Sequence, residues 1–197
     1  MQNAEEAFAD RKVKAAAAGA GKPGSFFDRI KKSGTLGTAV YIVLGVMLAL
    51  VAKEALVFGL HTGTPVVAVV SSSMQHDSPA QTYYGWLESN LGYNRSYIDS
   101  WPISGGFLVG DMPIVQGTDS YNVGDVVVYS VPGQSVPIIH RIIVINPDGS
   151  YQTKGDNNLQ QLPYEFSVRS AQVHGKVVAV IPKLGYFKVF TMRVFGV

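Results

Sequence analysis

PIIHRIIVINPDGSYQTKGD, residues 137–156, decides the fold of this chain. Its first nine residues are rich in isoleucine and valine and end at an asparagine, which is how a strand reads. NPDGS at 146–150 then supplies turn chemistry, Asp148 and Gly149 being suited to left-handed positions, so the stretch reads as a hairpin that sets His140 on a strand paired with the approach to Asp156. Similar runs recur at PVVAVV (65–70), DVVVYS (125–130) and GKVVAVI (175–181), punctuated by Gly, Pro, Asn and Asp. No βαβ alternation is visible, so the expected fold is mainly β, an antiparallel sheet or barrel-like domain. Between Met74 and Gly110 the composition changes to Tyr, Trp, Asn and Ser, with at most one short helix near 83–91; this reads as an excursion from the sheet.

Upstream of the β-rich part, LGTAVYIVLGVMLALVA (36–52) is uncharged, and after Lys53 and Glu54 the apolar run resumes to Leu60. Roughly 20 apolar residues cross a bilayer core as a helix, so 36–60 is expected to be a transmembrane helix. The stretch is longer than the apolar core of a cleaved secretory signal and begins well into the chain. A buried core helix is the rival, weakened because the stretch shows no amphipathic stripe. Arg11, Lys12, Lys14, Lys22, Arg29, Lys31 and Lys32 precede it, which predicts a cytoplasmic N-terminal tail (1–35) and an extracytoplasmic domain (61–186).

A length of 197 residues leaves room for one globular domain plus accessory segments. The net charge of +2, with basic residues scattered after the first thirty, does not suggest a nucleic-acid surface. The absence of cysteine excludes thiol catalysis and Cys-ligated metal sites.

VVSSSMQHD (69–77) places a hydroxyl-rich turn at the end of a strand signal, a setting suited to presenting a nucleophile. A serine hydroxyl needs a base, commonly His or Lys, and donors for the developing oxyanion. Of the four histidines, His61 follows the apolar segment directly and His174 precedes a Gly-Lys strand start, so both read as interfacial or turn residues. His140, with Arg141, interrupts a strongly apolar run, where a buried polar pair needs partners to offset its desolvation. Outward alternation from a half-exposed strand explains His140 and Arg141 equally well at this level, and an Asx turn explains Asp156.

Taken in order, these segments resemble the type I signal peptidases, in the branch found in archaea and the endoplasmic reticulum. The family's Ser-x-Ser-Met box is matched by Ser71, Ser72, Ser73 and Met74; a Gly-Asp box by Gly110–Asp111 and again by Gly124–Asp125; the His-Arg box by His140–Arg141; the Gly-Asp-Asn-Asn box by Gly155–Asn158. The closing pattern is matched by Gly175–Lys176 and Ile181, Pro182, Gly185 and Tyr186. The resemblance implies Ser73 as nucleophile, His140 as general base in place of the bacterial lysine, Ser71 with the Ser73 amide as oxyanion hole, and no cofactor or metal. It implies signal-peptide-bearing preproteins as substrates cleaved after small residues, and the lipid bilayer and the secretion translocon as partners.

Three departures stand out. His76 occupies the position of the family's proline and is a second candidate base. Leu162 stands where many relatives carry an acidic residue, leaving Asp156 as the expected partner of His140 and Glu165 as a more distant one. Residues 78–109 exceed the expected link and read as an insertion, in which Asn94–Ser96 forms a glycosylation acceptor pattern. The tail at 187–197 is expected to touch the membrane interface. A membrane-anchored, non-catalytic β-rich surface binding module is the alternative from another class.

Overall fold

The computed structural model describes residues 34–186 and Phe190. Most of the expected basic tail and of the C-terminal tail lies outside the described residues. Helix α1 (Gly34–Leu60) contains a 24-residue stretch, Gly37–Leu60, that is long and apolar enough to cross a membrane, and none of its most apolar window is buried. Lys53 and Glu54, the charges interrupting it, pair with each other at 2.8 Å.

The domain downstream is built on one antiparallel sheet of five strands: β1 (Met112–Gln116), β2 (Val126–Tyr129), β3 (Ile138–Ile145), β4 (Tyr151–Lys154) and β5 (Val173–Ile181), in the order β1-β5-β2-β3-β4. The mainly β expectation is met, and the 146–150 turn joins β3 to β4, with Gly149 alone at positive φ (80°). β2 shows why the sheet has two cores. Val126 and Val128 pack with Val67, Val69, Met74 and Phe107, while Val127 and Tyr129 pack with Ile142, Tyr151 and Val168. Side chains alternate between faces along a strand, so an unbroken apolar run means that both faces are covered.

PVVAVV at 65–70 does not form the expected strand. It runs along β1, with Val67 and Val69 donating to Pro113 O and Asp111 O at 3.2 and 3.0 Å, but only Val66 and Ile114 form a bridge pair. Pro65 and Pro113 carry no N–H, which removes the donors a continuous ladder would use.

The excursion holds three short helices rather than one: α2 (Pro79–Thr82), α3 (Tyr84–Leu91) and α4 (Arg95–Asp99). Pro79 starts the first, Gly92 ends the second in the left-handed conformation (φ 68°), and the Asn94 side chain accepts the Tyr97 N–H at 2.9 Å to cap the third. Tyr83, Leu87, Ile98 and Trp101 from this segment bury Ile143 of β3. Trp101 also packs on Gly124, where φ is 97° and an added Cβ would come within 2.5 Å of the ring. The excursion therefore completes the core.

Candidate active site

His140 and Arg141 are adjacent on β3, and the pleat sends them to opposite faces. Both are buried, at 4% and 0% exposure, so the half-exposed reading does not hold. His140 Nδ1 is hydrogen-bonded to Glu165 Oε1, and Glu165 is itself fully buried. Glu165 ends a single 3₁₀ turn begun by Pro163, and its second oxygen accepts the Leu162 N–H. Leu162, which stands where an acid was expected, thus holds by its backbone a carboxylate that enters three residues later.

Asp156, the expected partner of His140, is engaged elsewhere. Arg141 Nε and a terminal nitrogen donate to its carboxylate at 3.0 and 2.7 Å, and His76 Nε2 lies 3.0 Å from Oδ2. Burial raises the Asp156 pKa, but the Arg141 cation and the His76 hydrogen bond outweigh that and hold the carboxyl below the usual carboxylate range. Arg141 spends its other donors on the carbonyls of Pro102 and Gly124, both 2.8 Å, and Ile103, 3.0 Å. It is a fully satisfied buried cation that joins β3 to the returning end of the excursion. Removing it would strand the Asp156 carboxylate, so Arg141→Met is expected to cost about 3–5 kcal/mol of domain stability in denaturant unfolding. A loss below about 1 kcal/mol would contradict that reading.

The Ser71–Asp77 turn docks on the Gly155–Asn158 turn. Asn157 N–H donates to Ser73 O at 2.8 Å, and the Asn157 side chain donates to Ser72 O and Asp77 Oδ2 at 3.2 and 2.9 Å. Gly155 sits between the His140 ring and the Ser73 backbone: an added Cβ there would meet His140 Nε2 and the Ser73 carbonyl oxygen, each at 2.8 Å, so those atoms lie within twice that distance of each other. No side chain fits this position. Ser71 Oγ and Ser73 Oγ are 3.2 Å apart. Ser71, Ser73, His140 and Asn158 all line one cleft of about 370 Å³, together with Ala68, Val70, Phe107, Val136, Ile139, Leu162 and Tyr164. His76 is not in its lining.

The remaining expected positions close turns. Asp111 accepts from the N–H groups of Leu108 and Lys183 at 2.8 and 3.0 Å, and Asp125 accepts from Asn122 N–H at 3.0 Å and pairs with Lys176 at 3.4 Å. His174 lies within β5 rather than in a turn, with Nε2 2.7 Å from Ser130 Oγ. Among the described residues no group of three or more His, Asp or Glu side chains is placed to hold a metal ion.

The sequence also aligns with known proteins, although no family model matches it. It is 38% identical over 95 residues to the signal peptidase complex catalytic subunit SEC11 of Komagataella phaffii, a match covering 41% of this chain and 56% of that protein. It is 42% identical over 82 residues to the SEC11 subunit of Pyricularia oryzae, covering 37% and 45%. The match to the SEC11 subunit of Clavispora lusitaniae is 31% identical over 148 residues and covers 70% of this chain and 72% of that protein. The chain belongs to the SEC11 family of signal peptidase catalytic subunits. It spans about half the length of most of the SEC11 relatives it matches. In this SEC11-family chain, Glu165 is the contact that the sequence ranked too low. A signal for it was present, because Glu165 is the only acidic side chain after Asp156.

Proposed function

We propose that the chain is a membrane-bound serine endopeptidase that removes N-terminal signal peptides from exported preproteins after small residues. The observation that carries this reading is His140, with a buried carboxylate on Nδ1 and Nε2 on the side of Ser73, in a SEC11-family chain. Ser73 Oγ attacks the scissile carbonyl carbon while its proton passes to His140 Nε2, and Glu165 stabilises the imidazolium. Collapse of the tetrahedral intermediate breaks the C–N bond, and the leaving amine of the mature protein takes the proton. Water, deprotonated by the same imidazole, then hydrolyses the acyl-enzyme. The Ser71 hydroxyl and the Ser73 amide are the oxyanion donors in this scheme. The cleft beside them is walled by Ala68, Val70, Phe107, Val136 and Ile139, which suits small apolar side chains.

Helix α1 anchors the enzyme with its N-terminus cytoplasmic and the β domain outside. Ser73 is thirteen residue steps from Leu60, a reach of at most about 45 Å at full extension. That tether keeps the nucleophile near the bilayer in which the signal peptide is held. The partners are the preprotein, the bilayer and the secretion translocon.

The test is cleavage by the purified full chain in phospholipid vesicles. A preprotein is expected to yield one new N-terminus, at the residue following a small side chain, and the Ser73→Ala protein is expected to yield none. Intact preprotein with the wild-type chain, or equal cleavage by Ser73→Ala, would favour the anchored binding module instead.

A further inference from the structure

His76 is three residues from Ser73, yet its contacts point away from the cleft. Nε2 lies 3.0 Å from Asp156 Oδ2, an oxygen that also accepts from Arg141 at 2.7 Å, and the ring packs on Tyr83 with centroids 4.6 Å apart. The backbone around it is equally committed. Met74 O accepts the Phe107 N–H at 3.1 Å, the Asp156 N–H faces Met74 Sδ at 3.5 Å, and Gln75 N–H closes a turn on Ser72 O at 3.0 Å. Gly106, at φ 63°, lies so close that an added Cβ would come within 2.3 Å of Met74 O and 2.9 Å of His76 Cδ2. Three chain segments therefore meet at this imidazole: the nucleophile turn 71–77, the turn 155–158, and both ends of the 78–109 excursion, through Tyr83 and Gly106.

We propose that His76 is a positioning residue which, through Asp156 and Arg141, locks the Ser73 turn against the Gly155–Asn158 turn and the 78–109 segment. This deepens the proposed peptidase reading and rests on it for its kinetic consequence. The reason for a lock is geometric. Ser73 approaches His140 across Gly155, and a shift of about 1 Å in a reacting group can cost on the order of 100-fold in rate. The Ser73 side belongs to a turn with no ladder of its own; the His140 side belongs to a central strand. A hydrogen bond between His76 Nε2 and the Asp156 carboxylate fixes the looser member to Asp156, which Arg141 in turn fixes to β3. His76 touches neither substrate nor the reacting atoms in this arrangement.

The test compares His76→Ala with His76→Gln in the full chain in vesicles. Glutamine keeps an N–H donor at nearly the reach of Nε2 but cannot act as a base at neutral pH. His76→Ala is expected to lower kcat roughly 10- to 100-fold with KM changed less than about twofold, and His76→Gln to recover most of that loss. A Gln variant as inactive as the Ala variant would overturn the proposal in favour of His76 as a base, and an Ala variant with wild-type kcat would overturn it altogether. Hydrogen exchange reads the lock without any activity. The Asn157 and Phe107 amides, which bond Ser73 O and Met74 O, are expected to exchange at least about tenfold faster in His76→Ala than in wild type or His76→Gln. Unchanged exchange would count against the lock even if cleavage fell, whereas cleavage by Ser73→Ala would sink the peptidase reading and leave the exchange result standing.

Discussion

Ser73→Ala, His140→Ala and the double variant are expected to lose preprotein cleavage to the same extent, about 10⁶-fold in kcat. The equality is the informative part. Ser73 Oγ is a weak nucleophile until a base takes its proton, and His140 has nothing to do without that hydroxyl, so removing either removes one step of chemistry. Independent contributions would instead multiply in the double variant. Single-turnover cleavage in vesicles measures all three. A double variant at least about 100-fold worse than either single would contradict the pair, and a His140→Ala protein with full activity would move the base elsewhere. The cleft and the Gly155 contacts argue for His140, because they place its Nε2 beside the Ser73 turn while its Nδ1 is held by a buried carboxylate.

Glu165→Gln is expected to lower kcat about 10⁴-fold with little change in KM. The carboxylate accepts twice, from His140 Nδ1–H and from the Leu162 N–H. A glutamine has one acceptor oxygen. The backbone N–H of Leu162 cannot become an acceptor, so the amide oxygen stays with it and the NH₂ group faces Nδ1. Nδ1 must then accept, which places the imidazole proton on Nε2, where it blocks uptake of the Ser73 proton. The fold is preserved, because the exchange is nearly isosteric, and thermal unfolding beside the kinetic assay verifies that. Activity within about tenfold of wild type would rule out Glu165 as the residue that orients the base. Asp156→Asn acts differently: it weakens the Arg141 pair and the His76 contact together, so its effect on stability should approach that of Arg141→Met.

The short β-branched runs at 125–130, 137–145 and 175–181, with the Asp-Gly turn that follows the second, were enough to read an antiparallel sheet from sequence. Local patterning carries that information because each strand has to bury its own side chains. The apolar stretch at 36–60 was legible from its length and composition alone. The edge segment 65–70 was misread because apolarity does not record which backbone groups can pair, and Pro65 and Pro113 remove two of them. At most one helix was read in the excursion because its three helices are short and are held by caps at Asn94 and Gly92 and by packing on Ile143, not by an amphipathic period of their own.

The order of short boxes singled out Ser73, His140 and Asp156, since residue identity and sequence order are all that such a resemblance requires. Which carboxylate meets His140 could not be decided that way. His140 and Arg141 are neighbours in sequence but face opposite sides of β3, so Asp156 goes to Arg141 and His140 is met by Glu165 from a 3₁₀ turn. Sequence determined the sheet, the apolar helix and the candidate nucleophile and base. Only the tertiary structure decided how the acids are shared, because pairing across a sheet depends on the face each side chain takes and on which distant turn covers that face.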